Sequence, residues 1–406
     1  NTIIQKGVEA TASDIHIEPY DKEVRVRFRV DGILREVMKP PKKMHKGMVS
    51  RVKIMAKMKI AEKRLPQDGR IKVRIKAKPI DLRVATLPTM FGEKVAMRIL
   101  DRSAVSFNLE DLGLEEVQLE LYIHGIRMPF GIVLVTGPTG CGKTTTLYAS
   151  LERINNHEVN ITTAEDPVEY SMLGINQVQM REAVGLTFAS ALRSYLRQDP
   201  NIIMVGEIRD KETAEISIRA SLTGHLVLST VHTNTAAGTI TRLVNMGVEP
   251  FLIASTLNLV VSQRLLRKVC LNCAEKVAIT PDYLKRVGLD PEEFNGVTFY
   301  KGAGCSLCNN SGYKGRIGVF EVMTMTPKIR ELILERVSTD KLQEAAVEQG
   351  METLRVIATE KLSEGPITGR ADRGRGGRAP YIGAASLQAR DHHQSVRNQT
   401  RILHCS

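Results

Sequence analysis

The chain has 406 residues, 42% of them hydrophobic and 25% charged, with a formal net charge of +12. That balance supports ample cores in two or three domains of a soluble, globular protein, and no apolar run is long enough to span a bilayer. The first residue is Asn rather than Met and no signal-peptide pattern opens the chain, so a start inside a longer protein is expected, with any membrane contact peripheral.

Over 1–105 the predicted elements are those of an N-terminal α/β domain. Val24, Val26, Phe28 and Val30 alternate with Arg25, Arg27 and Arg29, and Asp31-Gly32 turns the chain into ILREV, which predicts a hairpin with one solvated face. A second hairpin follows from Ile71, Val73 and Ile75 and then Ile80, Leu82 and Val84. Between them, residues 39–64 hold ten Lys or Arg against the single acid Glu62, with Val52, Met55, Met58 and Glu62 at helical spacing. This basic helix is either a solvated or protein-facing surface or a contact for anionic lipid or nucleic acid.

The composition loosens over 106–118, the expected linker. From Gly131, apolar runs each end in polar residues: GIVLVTG, NITTAEDP, NIIMVGE and HLVLSTVH. Separated by helical stretches, they predict a mostly parallel sheet covered on both faces over 119–265, with ligands at the carboxyl ends of its strands. The first run leads into Gly137, Pro138, Thr139, Gly140, Cys141, Gly142, Lys143 and Thr144, a complete G-x-x-x-x-G-K-[ST] phosphate loop opening a helix, with Thr145 next. Its backbone N–H groups suit phosphates, Lys143 the β- and γ-phosphates and Thr144 a Mg²⁺ ion, so ATP and Mg²⁺ are the expected ligands. Cys141 replaces the commoner Ser and suggests an oxidation-sensitive loop.

Hydrolysis also needs an acid that orients water. Glu165 and Glu207 each end an apolar run, and the residues alone do not rank them. His225 and His232 are seven residues apart. On a strand they would lie on opposite faces about 23 Å apart, too far to share one phosphate. Further on, Cys270, Cys273, Cys305 and Cys308 form two C-x-x-C pairs with a 31-residue spacer. The pattern suits a tetrahedral Zn²⁺ site over 266–325, with free buried thiols as the alternative.

SDIHIEP at 13–19, RLPQDGR at 64–70, DLRVATLP at 81–88, the phosphate loop, AEDPVEY, LRQDPNIIMVGEIRD, TGHLVLSTVHTN and the paired C-x-x-C together resemble the ATPases of type IV pilus assembly and type II secretion, from about Thr11 to Gly365. The resemblance implies an α/β fold with a RecA-like P-loop motor domain, a smaller PAS-like N-terminal domain, a tetracysteine zinc subdomain and C-terminal helices over 326–365. It makes Glu165 the general base and puts Glu207 at the Walker B position, holding Mg²⁺. His232 would sense the γ-phosphate side, and His225, counted with the site, suits a contact between elements. Arg70 and Arg83 would approach the γ-phosphate when the first domain closes on the motor.

As a whole, the resembled protein is a homo-hexamer, cytoplasmic and peripheral at the bacterial inner membrane, that hydrolyses ATP to feed pilin into a fibre with an inner-membrane platform protein. Type II secretion, which uses the same motor, is the near alternative. A nucleic-acid-handling RecA-type motor is more distant: aromatic residues make up only 4% of the chain, no DNA-binding module is recognisable, and no specific nucleic acid is expected. Two departures stand out. Asn201 replaces the family's usual Asp in RQDPD, and after Gly365 the chain carries seven Arg, two Asp and neither Lys nor Glu, so disorder is expected over 366–406.

Overall fold

The computed structural model describes residues 2–75, 78–100, 107–286 and 288–364. The basic tail expected over 366–406 lies outside the described residues. The chain divides into two units that part after residue 105.

The first unit contains α1 (Thr2–Glu9), β1 (Asp14–Pro19), β2 (Val24–Val30), β3 (Ile33–Met38), α2 (His45–Met55), β4 (Gln67–Ile75), β5 (Lys78–Thr89) and β6 (Gly92–Leu100). Its six strands form one sheet of order β3-β2-β1-β6-β5-β4, antiparallel at every pairing. The first hairpin turns tightly because Asp31 (φ 48°) and Gly32 (φ 86°) both take left-handed backbone, matching the twist of the flanking strands. Alternation then sorts the faces. Ile15, Ile17, Val26, Phe28, Leu82 and Val84 are buried in one core with Ile4 of α1 and Val49 and Val52 of α2. On the other face Arg25 and Arg27 pair with Glu18, and Arg29 with Asp14.

The basic helix is shorter than its spacing predicts. α2 stops at Met55, Lys57 turns the chain in left-handed backbone (φ 57°), and Glu62 lies beyond the helix, where its carboxylate accepts from Arg64. Lys53 is only 1% exposed, donates to the Glu62 carbonyl oxygen and pairs with the buried Glu93. One of the run's charges is therefore a core group, and the run is not a uniformly solvated face.

The second unit contains α3 (Glu116–Ile126), β7 (Gly131–Thr136), α4 (Lys143–Ile154), β8 (Ile161–Glu165), β9 (Ile175–Gln179), α5 (Phe188–Tyr195), β10 (Ile202–Val205), α6 (Lys211–Leu222), β11 (Leu226–Val231), α7 (Ala236–Asn245), α8 (Pro250–Thr256) and β12 (Leu257–Val269). There follow β13 (Ala274–Val277), α9 (Pro281–Arg286), β14 (Phe299–Gly302), β15 (Tyr313–Thr324), α10 (Pro327–Leu334), α11 (Thr339–Glu348) and α12 (Leu354–Glu364). The large sheet has the order β15-β12-β7-β11-β10-β8-β9 and is parallel except at the edge strand β15.

Its unbroken apolar runs are explained by cover on both faces. Leu134, Ile203 and Val227 pack in one core with α5, α6, α7 and α8. Val133, Val135, Met204 and Leu228 pack in the other with Tyr122 of α3 and Leu147 and Leu151 of α4. The stretch expected as a linker is folded in its described part: Leu109 is buried, a 3₁₀ turn covers Leu109–Asp111, and Gly318 N donates to the Leu112 carbonyl oxygen at 2.9 Å. The expected zinc segment, 266–325, includes residues that pair along β12 in this large sheet, from Ile317 to Thr324. A separate two-stranded sheet joins β13 and β14.

Candidate nucleotide-binding site

The phosphate loop bridges the end of a fully buried strand, β7, and the first residue of α4, Lys143. Glycine is required at two of its turns. Gly137 (φ 145°) could not carry a Cβ without meeting the Gln263 carbonyl oxygen at 2.5 Å, and Gly142 (φ 95°) would meet Gln263 Nε2 at 2.8 Å. The buried Lys143 Nζ donates to the carbonyl oxygens of Gly137 (2.8 Å) and Pro138 (3.0 Å), and burial lowers its pKa. Thr144 is exposed on the first turn of α4, with Thr145 half-buried beside it. Cys141 is buried, and burial raises its thiol pKa. A covered thiol is a poor target for oxidants, which counts against the oxidation-sensitive loop expected from sequence.

The parallel register carries other polar groups to this end of the sheet. Glu207 follows β10 and His232 follows β11, and His232 Nε2 stands 3.4 Å from Glu207 Oε2 while the Arg209 guanidinium pairs with the other oxygen. Burial pushes the Glu207 pKa up, but Arg209, His232 and Lys143 outweigh it and hold the carboxyl below its ordinary value. Burial first, and Lys143 second, hold the His232 pKa below its ordinary value.

Glu165 ends β8 in a different setting. It is 3% exposed, and its carboxylate accepts from the Tyr148 hydroxyl of α4, from Thr163 Oγ1 and from Gln177 Nε2 (3.1 Å). The same Tyr148 oxygen accepts from the backbone N–H groups of Glu169 (3.2 Å) and Tyr170 (3.4 Å). The acidic box is thus tied to the helix that follows the phosphate loop.

His225 is not brought to this cluster. It precedes β11, whose Leu226 pairs with Gly131 at the opposite end of the sheet from the loop, and its Nδ1 lies 2.9 Å from the Ala220 carbonyl oxygen at the end of α6. One strand presents its two flanking histidines to opposite ends of the sheet, as their spacing requires.

The four cysteines converge at the far end of the β12–β15 ladder. Their Sγ atoms all lie within 4.8 Å of one another. The 270–305, 273–308 and 305–308 separations are 3.8, 3.7 and 3.7 Å. A tetrahedron with Zn–S bonds of about 2.3 Å has edges of about 3.8 Å, so this donor set fits zinc. Burial raises the Cys308 pKa, but N–H bonds from Cys305 and Gly312 outweigh it and bring the thiol to about 6. The knuckle of the second pair thus favours a thiolate at Cys308, while burial raises the thiols of Cys270 and Cys273.

The family model for Type II/IV secretion system protein matches residues 1–375. The chain belongs to that family. It is 50% identical over 370 residues to the type IV pilus assembly ATPase PilB of Myxococcus xanthus, covering 91% of this chain and 65% of that protein. It is 48% identical over 368 residues to type II secretion system protein E of Xanthomonas campestris pv. campestris, covering 91% and 65%. The chain therefore spans just under two thirds of the length of both relatives. Among solved structures, the pilus retraction motor PilT with bound ADP aligns at a TM-score of 0.60 and 27% identity over 90% of this chain and 93% of that one. The Legionella pneumophila ATPase DotB aligns at 0.65 and 21% over 91% and 92%, a likeness of fold alone.

In the first unit of this secretion-family chain, Arg70 on β4 and Arg83 on β5 are direct cross-strand partners, and Arg83 is in turn opposite Arg98 on β6. Residues directly opposite one another share a face, so the three arginines lie on one face of the sheet. Sequence reasoning missed Tyr148, Gln263 and Arg264. The last two sit in LNLVVSQRLLRKV, where a polar pair inside an apolar strand was the available signal. Among the described residues no helix is long and apolar enough to cross a membrane.

Proposed function

We propose that this chain is the Mg²⁺-dependent ATPase of a type IV pilus assembly machine, a RecA-like motor with a PAS-like first domain, working as a hexamer with an inner-membrane platform protein on the cytoplasmic side. The observation that carries the reading is the convergence of Lys143, Glu207 and His232 on the phosphate-loop end of a parallel sheet. Backbone N–H groups and Lys143 would bind the phosphates of ATP, and Thr144 and Glu207 would hold Mg²⁺, which neutralises charge on the transferring phosphoryl group. Cys270, Cys273, Cys305 and Cys308 would hold a structural zinc. Arg70 and Arg83 would supply positive charge to the γ-phosphate. Type II secretion remains the alternative use of the same motor, since relatives from both machines are about equally similar.

One observation favours a second assignment of the acids. Glu165, the base by family resemblance, is 3% exposed and held by three donors away from Lys143, whereas Glu207, though paired with Arg209 and near His232, is only half-buried and is electrostatically linked to Lys143. On that geometry Glu207 orients the water and Glu165 holds the acidic box to α4. Glu207→Gln should lower turnover at least a hundredfold while ATP still binds, and Glu165→Gln should lower it by less than thirtyfold. Single-turnover hydrolysis beside fluorescent-nucleotide binding separates them, and the opposite ranking returns the base role to Glu165.

A further inference from the structure

β12 runs beside the phosphate-loop strand, with Ser262 paired to Thr136 immediately before the loop. Its next two residues are polar and buried, Gln263 at 2% and Arg264 at 6% exposure. Gln263 Oε1 accepts from Thr146 Oγ1 of α4 at 2.8 Å, and its backbone oxygen accepts from Arg264 Nη1 at 2.9 Å. The second terminal nitrogen of Arg264 donates to the Asn234 carbonyl oxygen at 2.9 Å and to Asn234 Oδ1 at 3.3 Å, and Ser262 Oγ donates to the same carbonyl at 3.1 Å. A Cβ on Gly137 would lie 3.1 Å from Arg264 Nη1, so the loop backbone rests on this guanidinium.

Asn234 belongs to the short segment after β11 that also carries His232, the neighbour of Glu207. Thr136 fastens that segment from the other side, donating to the Val231 carbonyl oxygen at 2.7 Å and accepting from Thr233 N at 2.9 Å. The site therefore has two flanks, the phosphate loop and the His232–Asn234 segment, and one fork of donors touches the support of the first and the backbone of the second. Burying a guanidinium is costly, and an apolar side chain would fill a strand position with less penalty. What it supplies is a rigid planar fork whose separate nitrogens meet two segments at a fixed spacing, where an ammonium offers a single compact centre.

We infer that Arg264, seated on Gln263, is a positioning residue that fixes the phosphate loop against the His232–Asn234 segment for ATP hydrolysis. The inference rests on the ATPase reading and adds to it the part that sets the spacing of its two flanks.

The test uses the full chain with Mg²⁺-ATP. Arg264→Met should lower kcat at least tenfold while KM for ATP and the affinity for ADP stay within threefold. Arg264→Lys, which keeps charge and bulk but offers one donor centre, should lower kcat at least threefold, and it is the variant to read if the Met form does not fold. Arg267→Met, three positions on and stacked on Tyr313, should leave turnover unchanged. Combining Arg264→Met with His232→Ala should cost less than the product of the separate losses, because both act through one segment. Unchanged kcat in both Arg264 variants of an active enzyme overturns the inference alone. So does a kcat loss matched by an equal loss of ADP affinity, or full multiplication in the double variant. Wild type that binds ATP without hydrolysing it overturns the ATPase reading and this inference with it.

Discussion

Replacing Glu165 by Gln removes a charge from a site the fold has built for an acceptor. One oxygen accepts from Thr163 and Gln177 and the other from Tyr148, whose own oxygen already accepts two backbone N–H groups. A Gln side chain must turn its amide nitrogen to one of those sides. Toward Gln177 it sets donor against donor; toward Tyr148 it adds a third N–H to an oxygen with two. One buried donor then goes unmatched and the charge-assisted bonds weaken, which costs about 2–4 kcal/mol. For a unit of this size each kcal/mol moves the melting temperature by roughly 2–4 °C, so the variant should melt roughly 5–15 °C below wild type. Differential scanning calorimetry of the nucleotide-free full chain measures this directly. An unchanged melting temperature together with abolished turnover would refute the locked carboxylate and make Glu165 a freely acting base.

Zinc should be present at one equivalent per chain, and Cys305→Ser should raise hydrogen exchange around 270–316 well before it alters ADP binding, because such sites take much of their folding energy from the metal; metal-free, fully folded protein counts against it. Arg70→Ala and Arg83→Ala should each cut turnover at least tenfold with ADP affinity unchanged, whereas Arg27→Ala, whose guanidinium is engaged by Glu18, should not; three equal responses in a steady-state assay would remove catalytic charge from the first unit. Burial raises the Glu18 pKa, but Arg27 and Lys94 outweigh it and hold the carboxyl below its ordinary value. The sign follows from that depression: Glu18 contributes stability above its unfolded pKa that is lost as pH falls through the lower folded one, so exchange protection in β1 and β2 should weaken below about pH 4.5. Arg27→Ala should flatten that dependence, and identical pH profiles would contradict it.

Local patterns were legible wherever chemistry and geometry coincide along the chain. The Asp31-Gly32 turn, both hairpins and the phosphate loop follow from rules that involve neighbouring residues only, the cysteine cluster follows from the repeated C-x-x-C spacing, and the structure forms each of them. What escaped depends on contacts across long separations. Lys53 reads as one more charge in a basic run, and only its pairing with Glu93 on β6 makes it a core residue. Glu165 and Glu207 look alike in sequence, each an acid closing an apolar run. Tyr148, 17 residues before Glu165, and Gln177, 12 after it, enclose the first, while Arg209 and His232 leave the second beside the phosphate loop.

The same strand that carries Gln263 and Arg264 continues to Val269, and Cys270 follows at once, so the phosphate loop and the cysteine cluster stand at two points of one continuous β-strand. β15 pairs with it from Leu259 to Val269, with a single irregularity between Arg267 and Val269. Past Ser262, which pairs with Thr136 of β7, this ladder has a strand neighbour on one side only, and a long connection, 270–312, joins its two strands at the far end. Four thiolates contributed by both ends of that connection, Cys270 and Cys273 from one and Cys305 and Cys308 from the other, would clamp it through coordinate bonds if zinc is held. Zinc held there would act outside hydrolysis, by fixing the register of the strand against which the phosphate loop packs.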